Sequence, residues 1–583
     1  MQTSRLGVAA MALVFLLAPN PTSAASAWPP ERQREILDKT LPVRLAPELD
    51  ALSPAERRAL GELFAVGAIF QRIYEDSRHP AALSAARDLT GDAATLYRLF
   101  QGPVATTLDN RREPFLDVAA ETPGKNVWPW GITAPEVEKH LAVHPEDRSA
   151  ILDERTAVRR ADAASLGRDR AAIGRHPALA TLHPGLDARL AELARRPDPT
   201  RLYAVPYAVA WADELVEAQG RLFAAAEAVE TEDPELARYL RNRGRDLLAN
   251  DYESGDAAWV TGRFGRLNAQ LGAYETYDDA LFGVKAFFGA SLLLRDEAAT
   301  AELTRTLGGL QQVEDALPTP ETKRVRSEIP VGVYRVIADF GQARGTNTAT
   351  ILPNDALFSR RYGRIILLRE NVMTHPELFA LAARRFRAAV TAAHQDELAI
   401  DGGFQRTLWH EIGHYLGPDR ATDGRALDQA LGAWADALEE LKADLVSLFA
   451  VQRFADEGKL TAERRRAVEA DGILRTLQNV RPRRDQPYQT MQLAQFNYFL
   501  DRGLLAMDPA GRLAIRYDRY AATVRELLGE VLALQRAGDP GAAEAFFSRW
   551  TAWTPELHEA LGARLREAEG PRYRLVRYAA LGE

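Results

Sequence analysis

The chain has no cysteine among its 583 residues. That absence excludes disulfides, thiolate metal ligands and a thiol nucleophile together. Any metal must then be held by histidine and carboxylate, and stability must come from an apolar core, which a hydrophobic content of 46% can supply at this length. Phosphate loops are missing too: there is no G-x-x-x-x-G-K-[ST] segment and no G-x-G-x-x-G opening a helix after a strand. No G-x-S-x-G elbow signals a serine hydrolase. Beyond the N-terminus, charges break each apolar run within about a dozen residues, short of the roughly 20 that span a bilayer. No internal repeat, low-complexity tail or serine–glycine linker marks independent domains. An excess of one charge is also lacking: 73 basic and 81 acidic residues leave a net charge of −8, which favours solubility and argues against nucleic acid. The basic stretch Arg155–Arg170 has aspartates interleaved and reads as a solvated helix face.

What is present begins with residues 1–27. Arg5 is their only charge, Leu6–Leu17 is an apolar core, and Ala25-Ser26-Ala27 is a small-residue cleavage site. This is the form of a secretory signal peptide. It implies export to a bacterial periplasm or exterior, cleavage near Ala27 and no membrane span in the mature chain.

The most informative segment is His410-Glu411-Ile412-Gly413-His414. Phe404, Leu408, Ile412 and Leu416 recur at helical spacing, and Gly417-Pro418 is a helix stop. On a helix, residues four apart share a face, so both imidazoles can point at one ion with Glu411 beside it as general base. Zinc lowers the pKa of a bound water from about 15.7 to about 7, which a carboxylate can exploit. A catalytic zinc takes three protein ligands. No histidine follows before His558, so the third is sought in Glu439-Glu440-Leu441-Lys442-Ala443-Asp444, within a helical pattern from Leu427 to Ala455. Glu440 is the favoured ligand, flanked by the small residues Ala433, Ala437 and Ser447, and Asp444 one turn on is the acceptor for a zinc histidine. Glu439 is the rival, although Lys442 at i+3 explains it as a solvated ion pair. The donor set calls for one zinc per chain, and cobalt or manganese also suits it.

The other eight of the ten histidines lack ligand spacing. His79, His144, His176, His183 and His375 precede proline, which suits turns; His140, His394 and His558 stand alone. Asp256, Glu275, Asp278 and Asp279 read equally as sites for a substrate amine or as caps and surface charge.

The pair of motifs, His410-Glu411-x-x-His414 followed by Glu439-Glu440-x-x-Ala443-Asp444, resembles the dipeptidyl-peptidase III family of zinc exopeptidases. Animal members carry a longer H-E-x-x-x-H; bacterial relatives have the five-residue form. The likeness extends to Asn250-Asp251-Tyr252 through Asp256-Ala257-Ala258-Trp259, to the Gly272–Gly283 block, to Leu352-Pro353-Asn354-Asp355 and to Gln495-Phe496-Asn497-Tyr498. It covers roughly residues 125–510. The resemblance implies His410, His414 and Glu440 as zinc ligands, Glu411 as base and Asn354 as a contact to substrate backbone. Two positions depart from the family: Thr490 replaces a histidine before Met491-Gln492, and Gln270 replaces a substrate-binding tyrosine.

The expected architecture is mainly α with a smaller mixed α+β part in two lobes: a helical zinc-carrying lobe, a lobe with a small sheet or barrel, and a cleft between. Residues 31–100 and 185–250 read as surface helices, Gly102–Trp130 as loop, Val331–Phe340 and Arg364–Leu368 as strands, and Glu377–Arg564 as almost wholly helical. The division falls at 28–360 for the substrate side and 361–583 for the zinc side. The functional expectation is an exported zinc metallopeptidase acting on small peptides. Two others stay open: a zinc hydrolase of a non-peptide amide or ester, and a non-catalytic zinc-stabilised peptide-binding protein. The sequence does not give the oligomeric state.

Overall fold

A computed structural model of the chain describes residues 27–307, 309–325, 330–345, 348–352, 361–363, 365–483 and 486–583. The signal-peptide reading of residues 1–27 and Asn354 of the substrate loop therefore lie outside the described residues, apart from Ala27. The molecule is mainly helical and two-lobed, with one larger sheet.

That sheet has five strands: β1 (Leu267–Glu275), β2 (Phe287–Arg295), β3 (Val331–Gly341), β4 (Ala349–Leu352) and β5 (Ile365–Arg369), in the order β1-β2-β3-β5-β4. Pairing is antiparallel except between β3 and β5. Nearly continuous apolar runs such as Phe287–Leu294 and Ile365–Leu368 belong to strands buried on both faces, and Ile365–Arg369 is buried throughout. Side chains of β5 alternate between two cores. Ile365 and Leu367 pack with the N-terminal helices, while Ile366 and Leu368 pack with the C-terminal ones. The sheet is thus the seam between the lobes, and β5 lies beyond position 360, so the sheet draws on both halves of the chain.

On the first side, the helices Pro54–Arg78, Ala212–Val229 and Pro234–Ala249 bury their apolar stripes against β1–β3. The second core is built from Gly402–Gly413, Ala435–Asp456, Ala462–Thr476, Pro487–Asp501 and Tyr520–Ala537. Among the described residues no helix is long and apolar enough to cross a membrane.

The expected strands at 331–340 and 364–368 are observed as β3 and β5 to within a residue. Three further strands, Thr40–Leu45, Thr156–Ala161 and Asp198–Pro206, lie in stretches expected as helix. Thr156–Ala161, inside the arginine-rich stretch, pairs with Asp198–Pro206, and Thr40–Leu45 pairs with Tyr573–Tyr578. Strand β1 also hides in its sequence, because Asn268 and Gln270 are poor strand formers. The fold satisfies Asn268 across the sheet: it accepts from the Trp259 indole at 2.9 Å and donates to Tyr334 at 3.1 Å.

Glu469, on the helix Ala462–Thr476, is only 5% exposed. Burial pushes its carboxyl up to about 7, with Arg465 and Arg466 opposing only in part. In the unfolded chain the value returns to about 4.3. Between these values the folded state keeps a proton that the unfolded state has lost, so stability falls as pH rises from about 4.3 to about 7. Glu469→Gln is expected to raise stability above the parent at pH 8 and to leave it nearly equal at pH 4. Denaturant unfolding at both pH values checks this.

Candidate metal centre

The motif helix runs Gly402–Gly413, and His414 continues it with helical dihedrals (φ −64°, ψ −21°). Phe404, Leu408 and Ile412 are buried. They fix the rotation of the helix and turn His410 and His414, one turn apart, toward the helix Ala435–Asp456. The close crossing requires glycine. A Cβ on Gly413 would lie 2.8 Å from the carbonyl oxygen of Ala443.

Lys442 fastens the crossing. Its side chain is 1% exposed, and its ammonium donates to the carbonyls of Gly413 and Leu416 at 2.8 Å each while pairing with Glu439 at 2.8 Å. The reading of Glu439 and Lys442 as a solvated ion pair is corrected accordingly: the pair is an internal clamp on the carbonyl end of the motif helix. Lys442→Met is expected to cost about 3 kcal/mol, because it leaves buried carbonyls and a carboxylate without their cation. Denaturant unfolding measures it. The expected single helix from Leu427 to Ala455 is also corrected. Gly432, at φ +55°, breaks it into Leu427–Leu431, a 3₁₀ turn at Gly432–Trp434, and Ala435–Asp456.

One ring nitrogen of each histidine lies beside a carboxylate. Asp444 Oδ1 lies 3.4 Å from Nδ1 of His410, and Glu439 Oε1 lies 2.9 Å from Nδ1 of His414. Such partners set ring orientation and tautomer and leave Nε2 for a metal. Nε2 of His410 is 3.2 Å from Oε2 of Glu440, and one donor atom from each of His410, His414 and Glu440 lies within 4.8 Å of the others. Zinc bound tetrahedrally at about 2.0–2.1 Å separates its ligands by about 3.4 Å, so the 3.2 Å edge matches. Oε2 of Glu440 is buried and accepts no hydrogen bond among the described residues. A buried carboxylate oxygen without a hydrogen bond is costly, and a cation between it and Nε2 of His410 would satisfy it. The donor set therefore fits zinc.

Charge is arranged to keep the carboxylates ionised. Burial drives the Asp444 carboxyl upward, but Arg475 at 2.8 Å, Arg406 at 2.9 Å and His410 outweigh it and hold the group well below the usual carboxylate range. For Glu439 burial is likewise outweighed, by Lys442 and His414, and the value falls to about 2. Glu440 is lowered for the same reason by His410 and His414. Glu411, half-buried, follows His410 on the motif helix, and its charge acts on the Tyr488 hydroxyl.

The second group of metal-capable side chains, His144, Glu146 and Asp147, is otherwise engaged. Asp147 pairs with Arg189 and with His140, and His144 sits in the turn expected of it.

The remaining site residues are not among the three clustered donors. Gln270 on β1 accepts from the buried Arg369 at 3.2 Å. Glu275 ends β1, and burial pushes its carboxyl upward. Thr490 is 2% exposed and donates to the Arg483 carbonyl at 3.3 Å, so its hydroxyl is turned inward. Three further acids are structural: Asp256 pairs with Arg243 at 2.5 Å, Asp278 accepts from Tyr74 and Gln342, and Asp279 accepts from the amides of Leu281, Val284 and Lys285. Sequence reasoning missed Glu439 as the partner of His414, and missed Arg406, Arg475 and Tyr488. Arg406 was within reach of inspection, since it lies one turn before His410; Tyr488 and Arg475 carry no local signal.

The two-lobed fold is that of solved dipeptidyl-peptidase III structures. Among solved structures, dipeptidyl-peptidase III from Caldithrix abyssi superposes with a TM-score of 0.78 at 24% identity, over 94% of this chain and 99% of that one. The enzyme from Corallococcus sp. strain EGB gives 0.70 at 25% identity, over 94% and 97%. The family likeness carried by the motifs thus holds in the fold of nearly the whole chain. A curated relative, Nudix hydrolase 3 of Arabidopsis thaliana, is 26% identical over 367 residues, 62% of this chain. The chain spans about half of that relative, 47% of its length. No family model matches the chain.

Proposed function

We propose that the protein is a zinc-dependent peptidase that removes dipeptides from the N-termini of short peptides. The observation that carries this is the convergence of His410, His414 and Glu440 with Glu411 adjoining, in a fold shared with two dipeptidyl-peptidase III structures. His410, His414 and Glu440 would hold the metal, which when bound supplies Lewis acidity toward the scissile carbonyl and the attacking water. Asp444 and Glu439 keep the two imidazoles in the tautomer that leaves Nε2 unprotonated. Glu411 takes the proton of the attacking water and delivers it to the leaving amine nitrogen. Export to the periplasm or exterior, argued from residues 1–27, is part of this proposal.

A second reading, hydrolysis of a non-peptide amide or ester, draws support from Gln270 and Thr490. Both are engaged inside the protein, where the family's tyrosine and histidine would meet peptide. A chelator is expected to abolish peptide hydrolysis, with one equivalent of zinc restoring it. Chelation that lowers only the melting temperature of a protein with no hydrolytic activity would instead favour the binding-protein alternative.

A further inference from the structure

The polar groups around the metal centre are mostly committed. Lys442 is spent on two carbonyls and Glu439, Arg406 on Asp444 and Asp471, and Arg475 on Asp444. Glu411, Glu439, Glu440 and Asp444 are acids, which when ionised accept hydrogen bonds and donate none. Hydrolysis of an amide builds negative charge on the carbonyl oxygen, and a donor placed where that charge develops is among the largest single contributions to rate.

Tyr488 is placed for this task. It lies in the first turn of the helix Pro487–Asp501 and is 52% exposed, unlike the cations behind it. Its hydroxyl hydrogen-bonds the Glu440 carboxylate and feels the negative charge of Glu411, so it borders the third ligand within the field of the base. The Arg475 guanidinium lies 6.0 Å from its ring, on the Asp444 side, which steadies the ring without using the hydroxyl. A phenol remains a donor across the neutral range, since its ordinary pKa is about 10. Once a cation draws on the Glu440 carboxylate, that acceptor weakens, and the hydroxyl can turn to a substrate oxygen entering from solvent.

We propose that Tyr488 is a catalytic residue, whose hydroxyl donates a hydrogen bond to the carbonyl oxygen of the scissile amide as it becomes the oxyanion. The proposal rests on the peptidase reading above. In the step, water oxygen bonds to the carbonyl carbon, the C=O π pair moves to oxygen, and the water proton goes to Glu411. Collapse reforms C=O, breaks C–N and returns that proton to the amine nitrogen. Tyr488 keeps its own proton throughout.

The test is Tyr488→Phe in the zinc-loaded, full-length protein. The expected result is a fall in kcat of roughly 100- to 1000-fold with KM within about threefold, and unchanged zinc content and zinc affinity. Calorimetry supplies a readout independent of turnover: a phosphinic pseudopeptide, which mimics the tetrahedral oxyanion, should lose affinity by a similar factor, while a product dipeptide should not. An unchanged kcat would overturn the proposal. So would a loss of activity that tracks weakened zinc binding and is restored by excess zinc, since Tyr488 would then only hold Glu440. If the parent protein itself cleaves no peptide, the peptidase reading fails first, and the proposal with it.

Discussion

Glu411→Gln is expected to lower kcat for peptide hydrolysis by about 100- to 10 000-fold while zinc still binds one to one. Glu411 sits next to His410 but outside the cluster of three donor atoms, so the amide should leave the ligand geometry intact. It removes the group that accepts the water proton and returns it to the amine. Zinc content by mass spectrometry of the native protein, measured beside kcat, separates loss of base from loss of metal. A variant that kept more than a few per cent of activity would transfer the role of base elsewhere.

The second large effect separates two adjacent glutamates. Glu440→Ala removes a donor atom that lies 3.2 Å from His410 Nε2, and it is expected to abolish stoichiometric zinc binding and activity. Glu439→Ala removes only the acceptor for His414 Nδ1, 2.9 Å away, and the partner of Lys442. Lost outer partners of metal ligands typically cost 10- to 100-fold in affinity. Zinc titration against a competing chelator should therefore show no measurable binding for Glu440→Ala and a weakened but intact site for Glu439→Ala. The reverse pattern would make Glu439 the ligand.

Much of the candidate site was legible in the sequence because it is helical. His410 and His414 on one face and the buried Phe404–Leu408–Ile412 stripe follow from a period of 3.6, and the structure keeps them, although the helix ends at Gly413, short of the expected stop at Gly417-Pro418. Asp444 behind His410 followed from the need to orient a metal histidine. What escaped was set by contacts between helices. Nothing near Lys442 in the chain says that it is buried, because its partners are carbonyls at the end of another helix. Once Lys442 is internal, Glu439 is drawn inward with it and meets His414. Tyr488 is brought beside Glu440 from a third helix, at a sequence distance no local pattern spans.

The sheet divides in the same way. Strand β5 announces itself by an unbroken apolar run and β3 by one interrupted only at Arg335 and Asp339, since both their faces are covered. Strand β1 does not, because Asn268 and Gln270 are tolerated only where Trp259, Tyr334 and Arg369 complete their hydrogen bonds. Thr156–Ala161 looked like a charged helix face because Arg159 and Arg160 remain partly exposed on a two-stranded ribbon.

Glu411 and the ligand set are proposed to cleave peptides from the N-terminus. The most direct test is mass spectrometry of the products from a mixed peptide library, incubated with zinc-loaded protein or with its Glu411→Gln variant. The expected result is dipeptides released from N-termini by the parent protein alone. Products that appear equally with the variant, or no cleavage by either, would contradict it.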